Sequence, residues 1–488
     1  MILKILNPAL RHCLTLTMAG SLFLASSASS NELKLPNLGE SSTSLFSADF
    51  EFQLGRAWLR SFRSQVRTVD DPLLQDYMEN LIYDLATYSE LKDRRIEVVI
   101  VDNPTINAFA VPGGVIGIHN GLLLYAQTED ELATVLAHEL GHLSQRHFSR
   151  SVEYQRSVGP LNLAAMLAGL VLLATTGSEA GIAVLSAAQA AAQDSALRYS
   201  RGNEQEADRV GMQTMVAAGM DPHAAPAMFE RMLQASRYSG GNRVPEFLRT
   251  HPLSENRIAD TRNRARQYPK TMKHTNLDYQ LMRARVVTQL AKTQEAAVQR
   301  FRGELAGSTR SREAARYGLT LALAASGRPE EASIELARIW PDDLNRVEYI
   351  LADAEIDMAR NQPQSAVDKL AKQLLVSPGN HPMTMAYAYA LMKNQQSHIA
   401  EEVLIAQSKI KPKDPGLWYL LAEVQGLSGN ILGLHQARAE YFILNGIFDE
   451  AERQLSYALK LAKNNHLTTA KINHRLQYVS ELRGQMNL

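Results

Sequence analysis

The stretch "TVLAHELGHLSQRH" holds the residues best suited to chemistry. His138 and His142 are four positions apart, and Glu139 follows the first. On an α-helix this spacing sets the two imidazoles about 40° apart around the axis and about 6 Å along it, so both reach one ion. Glu139 then points about 100° away from His138, a place beside an ion rather than on it. Two neutral histidines holding Zn²⁺ with a glutamate as general base toward water is the chemistry of the HExxH pattern. A helix that merely carries histidines is the alternative; the motif's place in a helix that follows a strand hairpin favours zinc.

A catalytic zinc site usually has three protein ligands and an open position. His147 invites the longer histidine-only motif, but that version needs its third histidine six residues after the second with a glycine between. Here the gap is five and Gln145 stands at the glycine position, so His147 reads as structural or as the partner of a ligand. Downstream, "RYSRGNEQEADRVG" puts Glu204 and Asp208 on one helix face, with Glu206 nearly opposite. One carboxylate could bind the ion while the other holds a ligand histidine's second nitrogen. The charged start of a surface helix is the alternative, and spacing does not say which acid is the ligand.

His251 precedes Pro252, which favours extended backbone there. It could take the open zinc position or hydrogen-bond a tetrahedral intermediate. It could equally order a local turn. The site reading makes His251 a limit on access to zinc in the resting enzyme.

These side chains need a frame. Apolar spacing from Phe50 to Tyr88 predicts two helices broken near Asp70, Asp71 and Pro72. "RRIEVVIVD" from Arg94 to Asp102 reads as a strand, and two apolar runs flanking Pro112, Gly113 and Gly114 read as a hairpin. Thr128 with Glu131 three residues on is a capping-box spacing, starting a motif helix of roughly 20 residues. Proteases commonly bind substrate as an added strand. On that ground the segment Val115 to His119, with Val115, Ile116 and Gly117 as the substrate-binding residues, is expected to offer an edge; a plain packed hairpin is the alternative.

Length and composition set the outer bounds. A chain of 488 residues is too long for one core, so two or three domains are expected. Formal charge is zero and no long basic block occurs, so nothing points to nucleic acid. Lys4 and Arg11, an apolar run from Cys13 to Ala25 and a small-residue cleavage site near Ala28 have the layout of a secretory signal peptide. Its removal takes away the chain's single cysteine, and with it any disulfide or catalytic thiol. A large exported domain without disulfides fits a periplasm. The apolar stretch 161–193 is interrupted by Asn162 and Glu179 and reads as a buried or surface-lying helical hairpin, with membrane-surface contact left open.

The last third repeats. Ala332, Ala366 and Ala400 recur at a 34-residue period, each followed four positions later by Leu336, Leu370 and Leu404. Thr320, Ala354, Ala388 and Ala422 lie twelve residues ahead of such positions, and Pro378 and Pro412 close two units. That is the tetratricopeptide pattern, in which paired helices stack and expose a concave face for partners. Beyond Gly429 the register drifts by about half a repeat.

Taken in order, "NAFAVPGG", "HELGH", the "ExxAD" pattern from Glu204 to Asp208 and "THPLSENRI" from Thr250 resemble the M48 family of zinc metallopeptidases over roughly residues 45 to 265. The resemblance makes Glu204 the third ligand, beside His138 and His142, of one Zn²⁺ per chain and has Asp208 support the site; with Glu139 and, on the site reading, His251 it completes the expected catalytic set. With a signal in front and repeats behind, it further implies a periplasmic zinc endopeptidase with chaperone-like handling of outer-membrane β-barrel proteins, meeting the β-barrel assembly machinery through its repeats. An assembly adaptor whose protease core is normally closed is the rival, and a membrane-embedded protease is a third reading resting on 161–193. The expected fold class is mainly α: a helical zincin-type domain with a small β-sheet, then an α-solenoid. The expected order is signal peptide 1–30, flexible lead-in 31–48, metallopeptidase domain 49–268, connecting helices 269–308 and tetratricopeptide repeats 309–488.

Overall fold

The computed structural model describes residues 47–158, 193–238, 245–270, 276–340 and 345–486. The expected signal segment, nearly all of the lead-in and the apolar stretch from 161 lie outside the described residues. Among the described residues no helix is long and apolar enough to cross a membrane.

Two helices open the frame. In α1 (Ala48–Arg63) the Ser47 side chain caps the first turn, and in α2 (Pro72–Tyr88) Asp71 accepts from the amides of Leu73 and Leu74 while Pro72 occupies the first turn. Such caps satisfy amides that have no partner inside the helix. The break near Asp70 to Pro72 is therefore a local instruction: proline fixes its own φ and biases the residue before it away from helix.

Strands β1 (Glu97–Val101), β2 (Ala108–Val111) and β3 (Val115–His119) form a sheet in the order β1-β3-β2. β2 and β3 make the expected hairpin, turning through Gly113 and Gly114 at φ of +80° and +79°. A side chain at Gly113 would also stand 2.2 Å from the Glu51 carbonyl of α1. The edge expected of Val115, Ile116 and Gly117 is corrected here. β1 pairs in parallel on the outer side of β3, so β3 is central and both its backbone edges are used. The edge strands are β1, whose outer side is met by Val69 and Arg67, and β2. Across the hairpin the Phe109 ring covers Gly117, where a Cβ would fall 2.0 Å from the ring.

After the short α3 (Leu122–Tyr125) comes the motif helix α4 (Glu129–Ser144). Thr128 caps it through the Glu131 amide at 3.2 Å, and the Glu131 carboxylate reaches back to the Gln127 amide at 2.6 Å. α4 is shorter than the expected length: Arg146, at φ 52°, turns the chain into α5 (His147–Val158). Arg146 is held in that left-handed turn by Glu51 at 2.7 Å. His147 thus starts a new helix and is freed from the rotation of the motif helix.

The long α6 (Gln193–Ala217) crosses α4 closely. Two glycines permit this: a Cβ at Gly141 would meet the Ala207 carbonyl at 3.0 Å, and one at Gly211 would meet the Ala137 carbonyl at 3.0 Å. Small residues at a crossing let helix backbones approach, and here the approach carries Glu204 and Asp208 onto the histidine face. Behind α4, the fully buried Leu132, Leu136 and Leu140 belong to the same core as Ile116 and Ile118 of the sheet and Met228 and Met232 of α7 (Ala224–Tyr238). The short α8 (Glu246–Thr250) and then α9 (Glu255–Ala265) complete this half.

From α10 (Leu277–Gln289) and α11 (Gln294–Ala306) onward the chain is paired helices. These are α12 (Arg312–Ala325), α13 (Pro329–Ala337), α14 (Val347–Ala359), α15 (Pro363–Val376), α16 (His381–Lys393), α17 (Ser397–Ile410), α18 (Pro415–Leu427) and α19 (Ile431–Leu444), then α20 (Phe448–Leu461) and α21 (His466–Met486). Ala332, Ala366 and Ala400 are fully buried, so the recurring small residue marks where helices touch. Left-handed turn residues Gly327, Asn361, Gln395 and Gly429 keep the same 34-residue period. The next, Gly446, comes after half that interval. The register drift is thereby explained: α19 enters a turn of the kind that elsewhere follows the first helix of a pair.

The repeats pack back on the first half. Arg285 of α10 lies 2.5 Å from Asp71, the cap of α2, while Lys411 and Lys413 reach Asp76 of α2 and Glu97 of β1. A cavity of about 690 Å³ remains between them, lined by Asp70, Gln75, Glu97, His381, Asp414 and Tyr419 among others.

Candidate metal centre

The structure brings His138, His142, Glu204 and His251 together, with ligand atoms all within 4.8 Å of one another. His138 Nε2 lies 3.0 Å from His142 Nε2, and the Glu204 oxygens lie 3.4 Å from each of these nitrogens. Four ligands about 2.0–2.2 Å from a tetrahedral ion stand about 3.3 Å apart, so this donor set fits Zn²⁺. Glu139 is 1% exposed and its Oε1 has no hydrogen-bond partner. That oxygen faces His251 Nε2 at 3.5 Å, so the buried carboxylate stands beside the donor set, where a general base acting on water is needed.

A family model described as "Peptidase family M48" matches residues 72–265. Over 451 residues the chain is 32% identical to "Beta-barrel assembly-enhancing protease" of Escherichia coli (strain K12), covering 92% of this chain and 91% of that one. The chain belongs to peptidase family M48. It is also 33% identical to "Putative beta-barrel assembly-enhancing protease" of Vibrio cholerae, over 92% of this chain and 93% of that protein. A more distant likeness, 29% over 43% of this chain, is to "Mitochondrial metalloendopeptidase OMA1" of Schizosaccharomyces pombe.

In this M48 peptidase each nitrogen turned away from the cluster also has a neighbour. His138 Nδ1 lies 3.0 Å from Asp208 Oδ1. His142 Nδ1 lies 2.9 Å from His147 Nδ1, whose ring continues to Glu206 at 3.1 Å. The burial and partners of these rings fix their orientation, which is half of what a metal site needs. Burial works against charge on His138, yet Asp208 and Glu204 push it up to about 9. Burial, with charge on His138 next to it, holds His142 well below its ordinary value. Burial also works against the Glu204 carboxylate, but His251 and His138 hold it well below the usual carboxylate range. For Glu139 burial wins and raises the carboxyl above that range.

His251 sits at the C-terminal cap of α8 with Nδ1 3.1 Å from Glu204 and Nε2 3.5 Å from Glu139. Its ring stacks on Phe247 at 4.7 Å, and the Phe247 amide donates to Ile106 just ahead of β2. The Ala110 amide of β2 donates to the Glu139 carboxylate. Since the His119 amide donates to the Asn107 carbonyl, alternation along the antiparallel pair turns the backbone groups of Ala108 and Ala110 away from β3. Val115, Ile116 and Gly117 have no such outward groups.

Arg257 escaped the sequence reading. It is 4% exposed and donates to both oxygens of Asp208 at 2.7 and 2.8 Å. It lies inside "THPLSENRI", six residues after His251, and an arginine that close to a candidate ligand in a family stretch was the available signal.

Proposed function

We propose that this M48 peptidase is a zinc-dependent endopeptidase of the periplasm that acts on outer-membrane β-barrel proteins. The observation that carries the chemistry is the pairing of the His138, His142 and Glu204 donor set with the buried Glu139 carboxylate beside it. The likeness of nearly the whole chain to beta-barrel assembly-enhancing proteases supports the substrate class. His138, His142 and Glu204 would hold Zn²⁺, which when bound lowers the pKa of water and polarises a peptide carbonyl. Glu139 accepts the proton from the attacking water and returns it to the leaving amine. Its raised basicity, a product of burial, suits both transfers. Asp208 keeps His138 in the orientation that presents Nε2 to the cluster. An extended substrate lies along the β2 edge, bonding to the backbone of Ala108 and the carbonyl of Ala110, whose amide is already used by Glu139.

In this reading residues 1–30 are removed as a signal, 49–268 form the peptidase domain, and the helices from 309 onward are tetratricopeptide repeats that meet the β-barrel assembly machinery. A second reading, an adaptor that is normally closed, is supported by His251, whose ring lies within the donor set where water or substrate must enter.

Glu139→Gln tests the proposal against wild type in bound zinc, cleavage of an unfolded β-barrel protein and its maturation in cells. Zinc retained with cleavage lost is expected; retained cleavage overturns the mechanism. Maturation that survives loss of cleavage transfers the main role to the adaptor reading.

A further inference from the structure

One guanidinium in α9 touches three parts of the centre that come from different places in the chain. Arg257 Nε and Nη2 grip both oxygens of Asp208, and Asp208 in turn lies 3.0 Å from His138 Nδ1. Nη1 lies 2.9 Å from Glu204 Oε2 and 2.9 Å from the carbonyl of Pro252, to which it donates. Pro252 directly follows His251, whose Nδ1 is 3.1 Å from both Glu204 oxygens. The Ser254 side chain caps the turn that delivers Arg257, accepting from the Arg257 amide at 3.3 Å.

We propose that Arg257 is the positioning residue of the metal centre: it fixes which Glu204 oxygen faces the ion and, through the same nitrogen, sets how far the His251 loop reaches in. This rests on the reading of Glu204 as a ligand. Glu204 and Asp208 share one face of α6 and are both buried, and Arg257 reaches the two of them at once. A planar fork allows that. Lysine, a point charge with no fixed plane, cannot grip one carboxylate with two nitrogens while a third bridges a second carboxylate and a carbonyl. Because Nη1 is shared between Glu204 and Pro252, tightening one contact moves the anchor of the other. Metal holding and the reach of His251 therefore have a common support.

The test uses the full-length protein with Arg257→Gln, Arg257→Lys, His251→Ala and the Arg257→Gln/His251→Ala double variant. Zinc affinity and release to a chelator, kcat and KM on unfolded casein, and metal-free melting temperature are measured with and without guanidinium ion at concentrations that leave wild type unaffected. In Arg257→Gln zinc affinity falls about 10- to 100-fold, as for loss of other outer partners of metal ligands. The kcat falls more than KM rises, and guanidinium ion recovers both zinc binding and kcat. Lysine does not substitute, and His251→Ala, which speeds zinc release in the wild-type background, adds nothing in the Arg257→Gln background. Wild-type zinc affinity in Arg257→Gln, or full recovery by lysine, overturns the proposal. So does a fall in melting temperature with zinc affinity unchanged, or a His251→Ala effect of the same size in both backgrounds. Glu204→Gln is read separately: if it keeps wild-type zinc affinity, the ligand reading fails, whatever Arg257 does.

Discussion

His147 Nδ1 lies 2.9 Å from Nδ1 of His142, on the side of the ring turned away from the metal cluster. With His142 Nε2 in the donor set, the His142 proton sits on Nδ1 and is donated to His147, whose own Nε2–H is donated to Glu206. His147→Ala is therefore expected to weaken zinc binding by about tenfold or more without removing a ligand. Chelator competition checks this, and unchanged affinity would show that His147 only fills space.

A second prediction concerns acid. Burial raises the Glu139 carboxyl, and the base must be ionised to accept a proton. Cleavage therefore rises with pH through the raised Glu139 value and is lost below it, so the acid limb of kcat/KM lies above the ordinary glutamate value of about 4.3. A pH profile with metal content held constant measures it; a limb at or below the ordinary value contradicts the assignment.

Ala108→Pro separates the two candidate edges. Proline is tolerated on an edge strand where its N–H would face outward, and Ala108 presents that side of β2 while the Ala110 amide, which meets Glu139, is left in place. The variant is expected to fold and keep its zinc while losing cleavage, whereas Ile116→Pro in the central strand unfolds the sheet. Circular dichroism, metal content and peptide cleavage distinguish them, and an active Ala108→Pro removes β2 from substrate binding.

Gly211→Val probes the helix crossing. A Cβ there meets backbone atoms of Ala137 and His138 at 3.0 Å, and backbone yields poorly. Overpacking of this kind costs about 1–3 kcal/mol. Here the displacement moves Glu204 away from the histidines, so zinc affinity falls together with melting temperature. A stable variant with full zinc binding would show that the crossing has slack.

Much of the centre is legible in the chain because it depends on short-range geometry. The spacing of His138 and His142 becomes a shared helix face once α4 forms, and Thr128 with Glu131 marks where it starts. Gly113 and Gly114 make the hairpin turn because their backbone must be left-handed. The 34-residue recurrence is legible because each repeat meets the same neighbour and needs the same small residue at the contact.

The strand order was not legible. β1 joins β3 across the intervening β2 through backbone bonds that carry no side-chain signature, and this long-range pairing turned an expected edge into the middle of the sheet. Arg257 was equally hidden, since its three partners meet only when α6, α9 and the His251 loop converge. By itself the sequence determined which side chains could hold an ion and which helices would carry them, because periodicity and caps act within a few residues. Only the tertiary structure decided which strands lie at the sheet edge, what stands behind each histidine and how close His251 comes, because those depend on the packing of segments distant in the chain.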